Sequence, residues 1–118
     1  MCCQEDDIRV SWADRRLERI CSEDKKGRRE FGSSWPVLKR RIVLLEEADC
    51  LADLRNAPGR WHPLKADRAG QWSGSLDGNH RVIVEPDHRP LPQLADGGLN
   101  PHQVTQVKII EVTDYHGR

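Results

Sequence analysis

The chain has 118 residues, 36% hydrophobic and 32% charged, with 19 acidic and 19 basic side chains. That length suits one domain, spanning 1–118, around one small core, and the balanced charge excludes a global field that draws in polyanions, so any nucleic-acid contact must rest on a local patch. No apolar run nears the roughly 20 residues that span a bilayer, and the acidic start Met1-Cys2-Cys3-Gln4-Glu5-Asp6-Asp7 has no signal-like segment, so a cytoplasmic protein with no membrane partner is expected. Residues 1–6 read as loose. Ile8 to Trp12 alternates apolar Ile8, Val10 and Trp12 with Arg9 and Ser11, the pattern of a half-buried strand. Ala13 to Cys21, with Leu17, Ile20 and Cys21 at i, i+3, i+4, predicts a short amphipathic helix. Ser22 to Ser34 is charged and carries two glycines, which predicts a loop. Ser34 as cap and Pro36 in the first turn open the strongest helix. Its apolar stripe runs from Leu38 to Leu51, and Asn56-Ala57-Pro58-Gly59 ends it. The period then changes. Trp61 to Leu64 is short and extended, and Gln71 to Leu76 alternates around Trp72, Gly74 and Leu76. Asp77-Gly78-Asn79 is a hairpin signal, and His80 to Glu85 follows as a strand. Pro86 to Gln103 is a long hairpin loop. Val104 to Val112 is apolar on both faces, as in a central strand.

The order β-α-α-β-β-β-β predicts an α+β fold. A small, mainly antiparallel sheet carries two N-terminal helices packed on one face. The four cysteines, Cys2, Cys3, Cys21 and Cys50, show no zinc or disulfide spacing. Cys21 and Cys50 read as small buried hydrophobes of the helices.

The densest acid–base chemistry is Asp114-Tyr115-His116, at the end of the last strand-like run. Five more positions stand out: His62, Lys65, Arg68, His80 and Arg81. Each alone is an ordinary exposed group, and Arg81 can simply pair with Glu85 on its own strand face. Together, His62, Lys65, Arg81 and the C-terminal triplet can line one concave face of a sheet. The set contains no Ser or Cys beside a base, no glycine-rich phosphate loop and no carboxylate cluster for a metal. RNA cleavage needs none of these. The substrate's 2′-hydroxyl is the nucleophile, His and Tyr can move protons, and Arg and Lys can neutralise the phosphate. No metal and no cofactor is expected. Lys39, Arg40 and Arg41, with Arg68, are the candidates for a local basic surface toward RNA.

An ordered set of short segments resembles a known family. It comprises Trp61-His62-Pro63-Leu64-Lys65, Gly70-Gln71-Trp72-Ser73, Gly78-Asn79-His80-Arg81-Val82-Ile83 and Val112-Thr113-Asp114-Tyr115-His116. Asp53-Leu54 precedes it. The set is similar to the HigB (host inhibition) toxins of the RelE/ParE superfamily over roughly residues 7 to 116. The resemblance implies a ribosome-dependent, metal-independent mRNA endoribonuclease, neutralised by a helix-turn-helix antitoxin of the HigA kind. It carries proton transfer or base stacking onto Tyr115 and His116, and phosphate binding onto Lys65 and Arg81. Asp114 becomes an orienter, and His62 a proton-transfer group or orienter. The chain departs from the family at His80, usually aromatic, and at Ala66, usually Gly. Its 86–103 loop is longer and its net charge neutral. Two other readings fit the same resemblance. One is a non-enzymatic toxin of the gyrase-inhibitor type. The other is an inactive module that only binds the antitoxin.

Overall fold

A computed structural model describes residues 8–77, 80–88 and 90–114, with all their side chains except those of Asp67 and Asp114. The expected loose residues 1–6, with Cys2 and Cys3, the turn residues Gly78 and Asn79, and Tyr115 and His116 lie outside the described residues. Among the described residues the chain forms five strands and three α-helices. The strands are β1 (Arg9–Trp12), β2 (His62–Pro63), β3 (Trp72–Ser75), β4 (His80–Pro86) and β5 (Gln106–Asp114). The helices are α1 (Arg15–Cys21), α2 (Asp24–Phe31) and α3 (Trp35–Glu47). The sheet order is β1-β5-β4-β3-β2; β1 runs parallel to β5, and every other pair is antiparallel. The α+β architecture follows the sequence pattern, and β5, expected to be central, has β1 on one side and β4 on the other.

The apolar face of the sheet and the helices close on one another. Val82, Val84, Val107 and Ile109 from the strands are fully buried with Leu45, Leu51 and Leu54, and Trp35, Leu38 and Trp72 nearly so. Leu17 of α1 joins this core, and Phe31 of α2 lies against it. Burying a Val, Leu or Ile side chain contributes roughly 1.5–3 kcal/mol, so this cluster supplies the main driving force. Cys21 is half-buried and Cys50 buried, and no disulfide joins them; burial pushes the Cys21 thiol up to about 11. No helix among the described residues is long and apolar enough to cross a membrane.

Three local expectations are corrected. The stretch Ser22 to Ser34 is not a loop, since it holds α2 and a 3₁₀ turn, Gly32–Ser34. Gly27, read as a helix breaker, is buried inside α2. A Cβ there would lie 2.5 Å from ring atoms of Trp35, so glycine admits the indole rather than breaking the helix. Second, the strongest helix ends at Glu47, not at Asn56. Ala48 turns extended, and its carbonyl accepts a hydrogen bond from the Ile8 N–H at 2.8 Å. The Leu51 N–H then donates to the Val104 carbonyl at 3.0 Å, and Leu51–Asn56 forms a separate 3₁₀ turn. These partners lie far along the chain and take the bonds a longer helix would have used. Cys50 therefore sits buried between two helical segments, not within one. Third, Ser34 precedes α3 but makes no capping bond. Its hydroxyl donates instead to the Asp77 carboxylate across to the β3–β4 connection.

The loop after β4 is built. Leu94 N–H donates to the Gly98 carbonyl at 2.7 Å and Asn100 N–H to the Pro92 carbonyl at 3.0 Å, closing a small hairpin bridged at Gln93 and Leu99. His88 Nε2 accepts from the backbone N–H groups of Thr105 and Gln106 at 3.0 and 3.2 Å, which ties this loop to the start of β5.

The Gly27 contact sets two effects against each other. Helix propensity favours Gly27→Ala by about 1 kcal/mol. Overpacking against a buried indole costs about 1–3 kcal/mol. The net result should be destabilisation, measured as a lower denaturant midpoint at unchanged slope. A stabilised variant would show that Trp35 does not abut α2.

Candidate functional site

The face of the sheet away from the helices is assembled by strand register. His62 is registered with Ser73, Ser73 with Ile83, and Ile83 with Glu111; Arg81 is registered with Ser75 and Thr113. Side chains alternate along a strand, so His62, Ser73, Arg81, Glu85, Glu111 and Thr113 belong to the face opposite Val82 and Val84. Here β3 is narrow for a reason. Gly74 sits on the core side, where a Cβ would meet the Trp61 ring at 2.6 Å. Its neighbour Ser73 is 1% exposed, and the Ser73 hydroxyl accepts from Arg81 Nη1 at 3.4 Å. Arg81 is half-buried. A guanidinium held against a buried hydroxyl is a directed cation on an open sheet face.

His62 is exposed on the short outer strand, with Nδ1 2.9 Å from the Arg60 carbonyl oxygen. A carbonyl only accepts, so Nδ1 carries a hydrogen and Nε2 is the acceptor of the neutral ring. Lys65 stands exposed three residues on, at the head of a 3₁₀ turn, Ala66–Arg68. The segment carrying both is bracketed by two non-glycine residues in left-handed backbone, Arg60 at φ 51° and Ala66 at φ 60°. Each costs roughly 1–2 kcal/mol relative to a right-handed conformation. The glycine usual at position 66 in the family the sequence resembles fits this geometry without that cost.

Arg68 lies on the same face but is already engaged. Its Nη1 donates to Gln71 Oε1 at 2.9 Å, and its Nη2 pairs with the Glu111 carboxylate. Gln71 Nε2 in turn donates to Glu85 Oε1 at 3.4 Å. This polar chain runs from the β2–β3 turn to β5 at the level of Ile83, which is 2% exposed. Glu85 meets Gln71, while Arg81 reaches Ser73. Glu85 shares the face of Arg81, as strand alternation predicts, and Glu111 is the acidic group that sequence reasoning passed over.

The other basic candidates do not join this face. Lys39, Arg40 and Arg41 belong to α3, across the sheet from Arg81. Lys39 Nζ pairs with Asp24 Oδ1 at 2.7 Å, and this bond, with one from the Trp35 indole, holds the Asp24 carboxyl below its usual range. Arg41 Nε donates to the Ser75 carbonyl at 3.0 Å; burial, and then the nearby Arg40 charge, lower its pKa. Arg40 is exposed. Asp114 ends β5 in register with His80, and Thr113 is the residue registered with Arg81.

His80, singled out as a departure from the resembled family, belongs to a cluster at the β3–β4 connection. Asp77 Oδ1 accepts from the His80 N–H at 2.8 Å and lies 3.2 Å from His80 Nδ1; Ser34 Oγ is 3.4 Å from the same ring nitrogen. The Asp-to-N–H bond three residues on is an Asx-type closure of the turn. Among the described residues no group of three or more His, Cys, Asp or Glu side chains is arranged to hold a metal ion.

No family model matches the sequence, and no curated protein matches it. A solved structure, the YoeB/ParE toxin from Agrobacterium tumefaciens, matches with a TM-score of 0.51 and 13% identity, over 92% of this chain and 100% of that one. The chain shares the fold of that toxin. At this identity the likeness concerns fold alone. The coarse architecture, a five-stranded, mostly antiparallel sheet with helices on one face, is therefore held in common.

The strained turn gives a direct test. Ala66→Gly should raise stability, because relief of the left-handed cost exceeds the ~0.4–1 kcal/mol of unfolded-state entropy that glycine adds. The expected gain is up to about 1 kcal/mol, read as a higher melting temperature. Destabilisation by Ala66→Gly would place residue 66 in ordinary backbone.

Proposed function

We propose that the chain is the toxin of a type II toxin–antitoxin pair and cleaves mRNA on the ribosome without a metal. The observation that carries this reading is that His62 and Arg81 belong to one sheet face, with Arg81 donating to the buried Ser73 hydroxyl. The fold shared with a YoeB/ParE toxin supports it. The proposed host is cytoplasmic, and the proposed partner is a helix-turn-helix antitoxin of the HigA kind.

The proposed reaction needs three contributions. A base removes the 2′-hydroxyl proton, and the 2′-oxygen attacks the adjacent phosphorus. Cations stabilise the phosphorane charge. An acid then protonates the departing 5′-oxygen, leaving a 2′,3′-cyclic phosphate. His62 is a candidate for proton transfer because its Nε2 is the acceptor nitrogen. Arg81 and Lys65 are the proposed phosphate cations. Tyr115 and His116, outside the described residues, complete the proton-transfer set in this proposal, with Asp114 as orienter. The helix basics Lys39, Arg40 and Arg41, with Arg68, are proposed for ribosomal RNA. Arg40 is the first candidate for this, because Lys39 is paired with Asp24, Arg68 with Glu111 and Arg41 with a backbone carbonyl.

One observation favours a second reading, a non-catalytic toxin or antitoxin-binding module. Glu85 and Glu111 share the face with Arg81, and a phosphate approaching Arg68 must compete with Glu111.

Induced expression, with growth monitored and mRNA 5′ ends mapped, separates the two readings. His62→Ala, Arg81→Ala, Tyr115→Phe and His116→Ala should each lower cleavage by about 100-fold, the scale of a lost general acid or base or charge stabiliser. Ile109→Ala should behave oppositely, keeping the site chemistry while losing roughly 2–5 kcal/mol of stability to a cavity. Growth arrest without new 5′ ends favours the non-catalytic reading. Full cleavage by all four site variants discards the assigned residues.

The ribosome contact has its own test. Lys39→Glu combined with Arg40→Glu should weaken ribosome association and flatten its dependence on salt, since fewer counterions are released. Unchanged association and slope would remove α3 from the interface.

A further inference from the structure

Beyond Glu85 the open face deepens into a cavity of about 260 Å³, lined by Gly70, Glu85, Asp87, His88, Leu91 and Lys108 among others. Pockets for drug-sized ligands span about 300–1,000 Å³, so this one suits a group of one or two rings. Its walls have two characters. Gly70 and the half-exposed Leu91 offer apolar surface; Glu85, Asp87 and Lys108 offer two carboxylates and an ammonium.

The polar groups keep capacity for a ligand. Glu85 accepts from Gln71 and Asp87 from Ser11, each at 3.4 Å, the long limit of a hydrogen bond. An ionised carboxylate offers about four lone-pair sites, so most remain open. Glu85 and Lys108 are registered partners on β4 and β5, yet no ion pair joins them among the described residues. His88 spends Nε2 on two backbone N–H groups, so its Nδ1 holds the ring proton as a donor. Acceptors and donors thus face one small, partly apolar space.

We infer that this cavity is a base-reading subsite for a nucleobase carrying both an amino and a carbonyl group, cytosine or guanine. Carboxylates accept from the amino group, as Glu and Asp do from cytosine N4. The ammonium donates to the carbonyl. Uracil has no amino group and adenine no carbonyl, so each leaves one polar wall unsatisfied. A phosphate is excluded because two carboxylates would oppose it. The position also fits a strand of RNA. Glu85 lies four residues along β4 from Arg81, about 13 Å at the rise of a strand, so the base read here is not one that flanks the proposed cleaved bond. This inference rests on the nuclease reading and supplies its sequence preference.

Two measurements test it. In 5′-end mapping, the wild type should favour C or G at one fixed offset from the cut. Glu85→Gln with Asp87→Asn should reduce that preference by about tenfold, within the usual discrimination of a good base contact, while total cleavage persists. In an NMR titration of the whole chain, cytidine and guanosine monophosphates should shift the backbone amides of Gly70, Leu91 and Lys108 saturably. Uridine and adenosine monophosphates should not, and the double variant should lose the response. Wild-type cleavage with no preference at a fixed offset, or with one untouched by the double variant, overturns the subsite and leaves the nuclease reading intact. Absence of cleavage overturns the nuclease reading instead. The titration then decides alone, and equal responses to all four nucleotides, or none, overturn the subsite.

Discussion

One irregularity in β5 decides which residues the sheet presents on each face. Val107 and Ile109 are fully buried on the core side, two residues apart as a strand requires. Val112 also lies against the core, three residues further on. The two phases are reconciled at Ile110. Ile83 pairs with Glu111 but Val84 pairs with Ile109, so Ile110 has no partner on β4. An unpaired extra residue re-aims everything beyond it. Without this bulge, Val112 would turn to the open face and Glu111 and Thr113 to the core. With it, Thr113 comes opposite Arg81, and Glu111 comes within reach of Arg68. The Val104 to Val112 run that marks β5 as central contains this shift of phase.

In a chain of zero net charge, the ion pairs decide which basic groups are already engaged. Many of its basic groups are matched by neighbours: Lys39 with Asp24, Arg16 with Glu30, Lys26 with Glu23 and Arg68 with Glu111. Such exposed pairs stabilise the fold by about 0–1 kcal/mol, so their meaning lies in which charges they withdraw from ligands. Arg81 also donates to a neutral group, the Ser73 hydroxyl, at 3.4 Å. In the proposed site the electrostatics that a phosphate would meet are set locally, and net charge says little about them.

Much of the fold was legible because period survives in the sequence. β1, β3 and β4 alternate, α3 shows a continuous stripe, and the β5 run is long and rich in Val and Ile. The failures share a cause, which is that a residue's partner lay in another element of the chain. Gly27 reads as a breaker until Trp35 is seen against it. Ser34 reads as a cap until Asp77 takes its hydroxyl. The end of α3 reads eight or nine residues too late, because Ile8 and Val104 supply the backbone bonds that stop it. The site shows the same limit. His62 and Arg81 were chosen for their chemistry, and register joins them. Lys39 and Arg41 were chosen as part of a basic run, and the sheet stands between that run and Arg81.

The shared toxin fold leaves chemistry open, since one fold can carry unrelated functions. At 13% identity the likeness concerns the fold alone; in this chain the frame is a parallel β1–β5 pair, a bulge and a helix layer. Two residues on that frame carry backbone strain. Ala66 accepts a left-handed backbone beside Lys65, and Arg60 does so beside His62. Stability alone would favour glycine at both places. Strain of this kind persists only where the surrounding structure over-determines it. Here it brackets the five residues Trp61 to Lys65, anchored inward by the buried Trp61 and presenting His62 outward. A turn held by an indole on one side and strained at both ends keeps an exposed imidazole in one place, and a fixed imidazole serves proton transfer better than a mobile one.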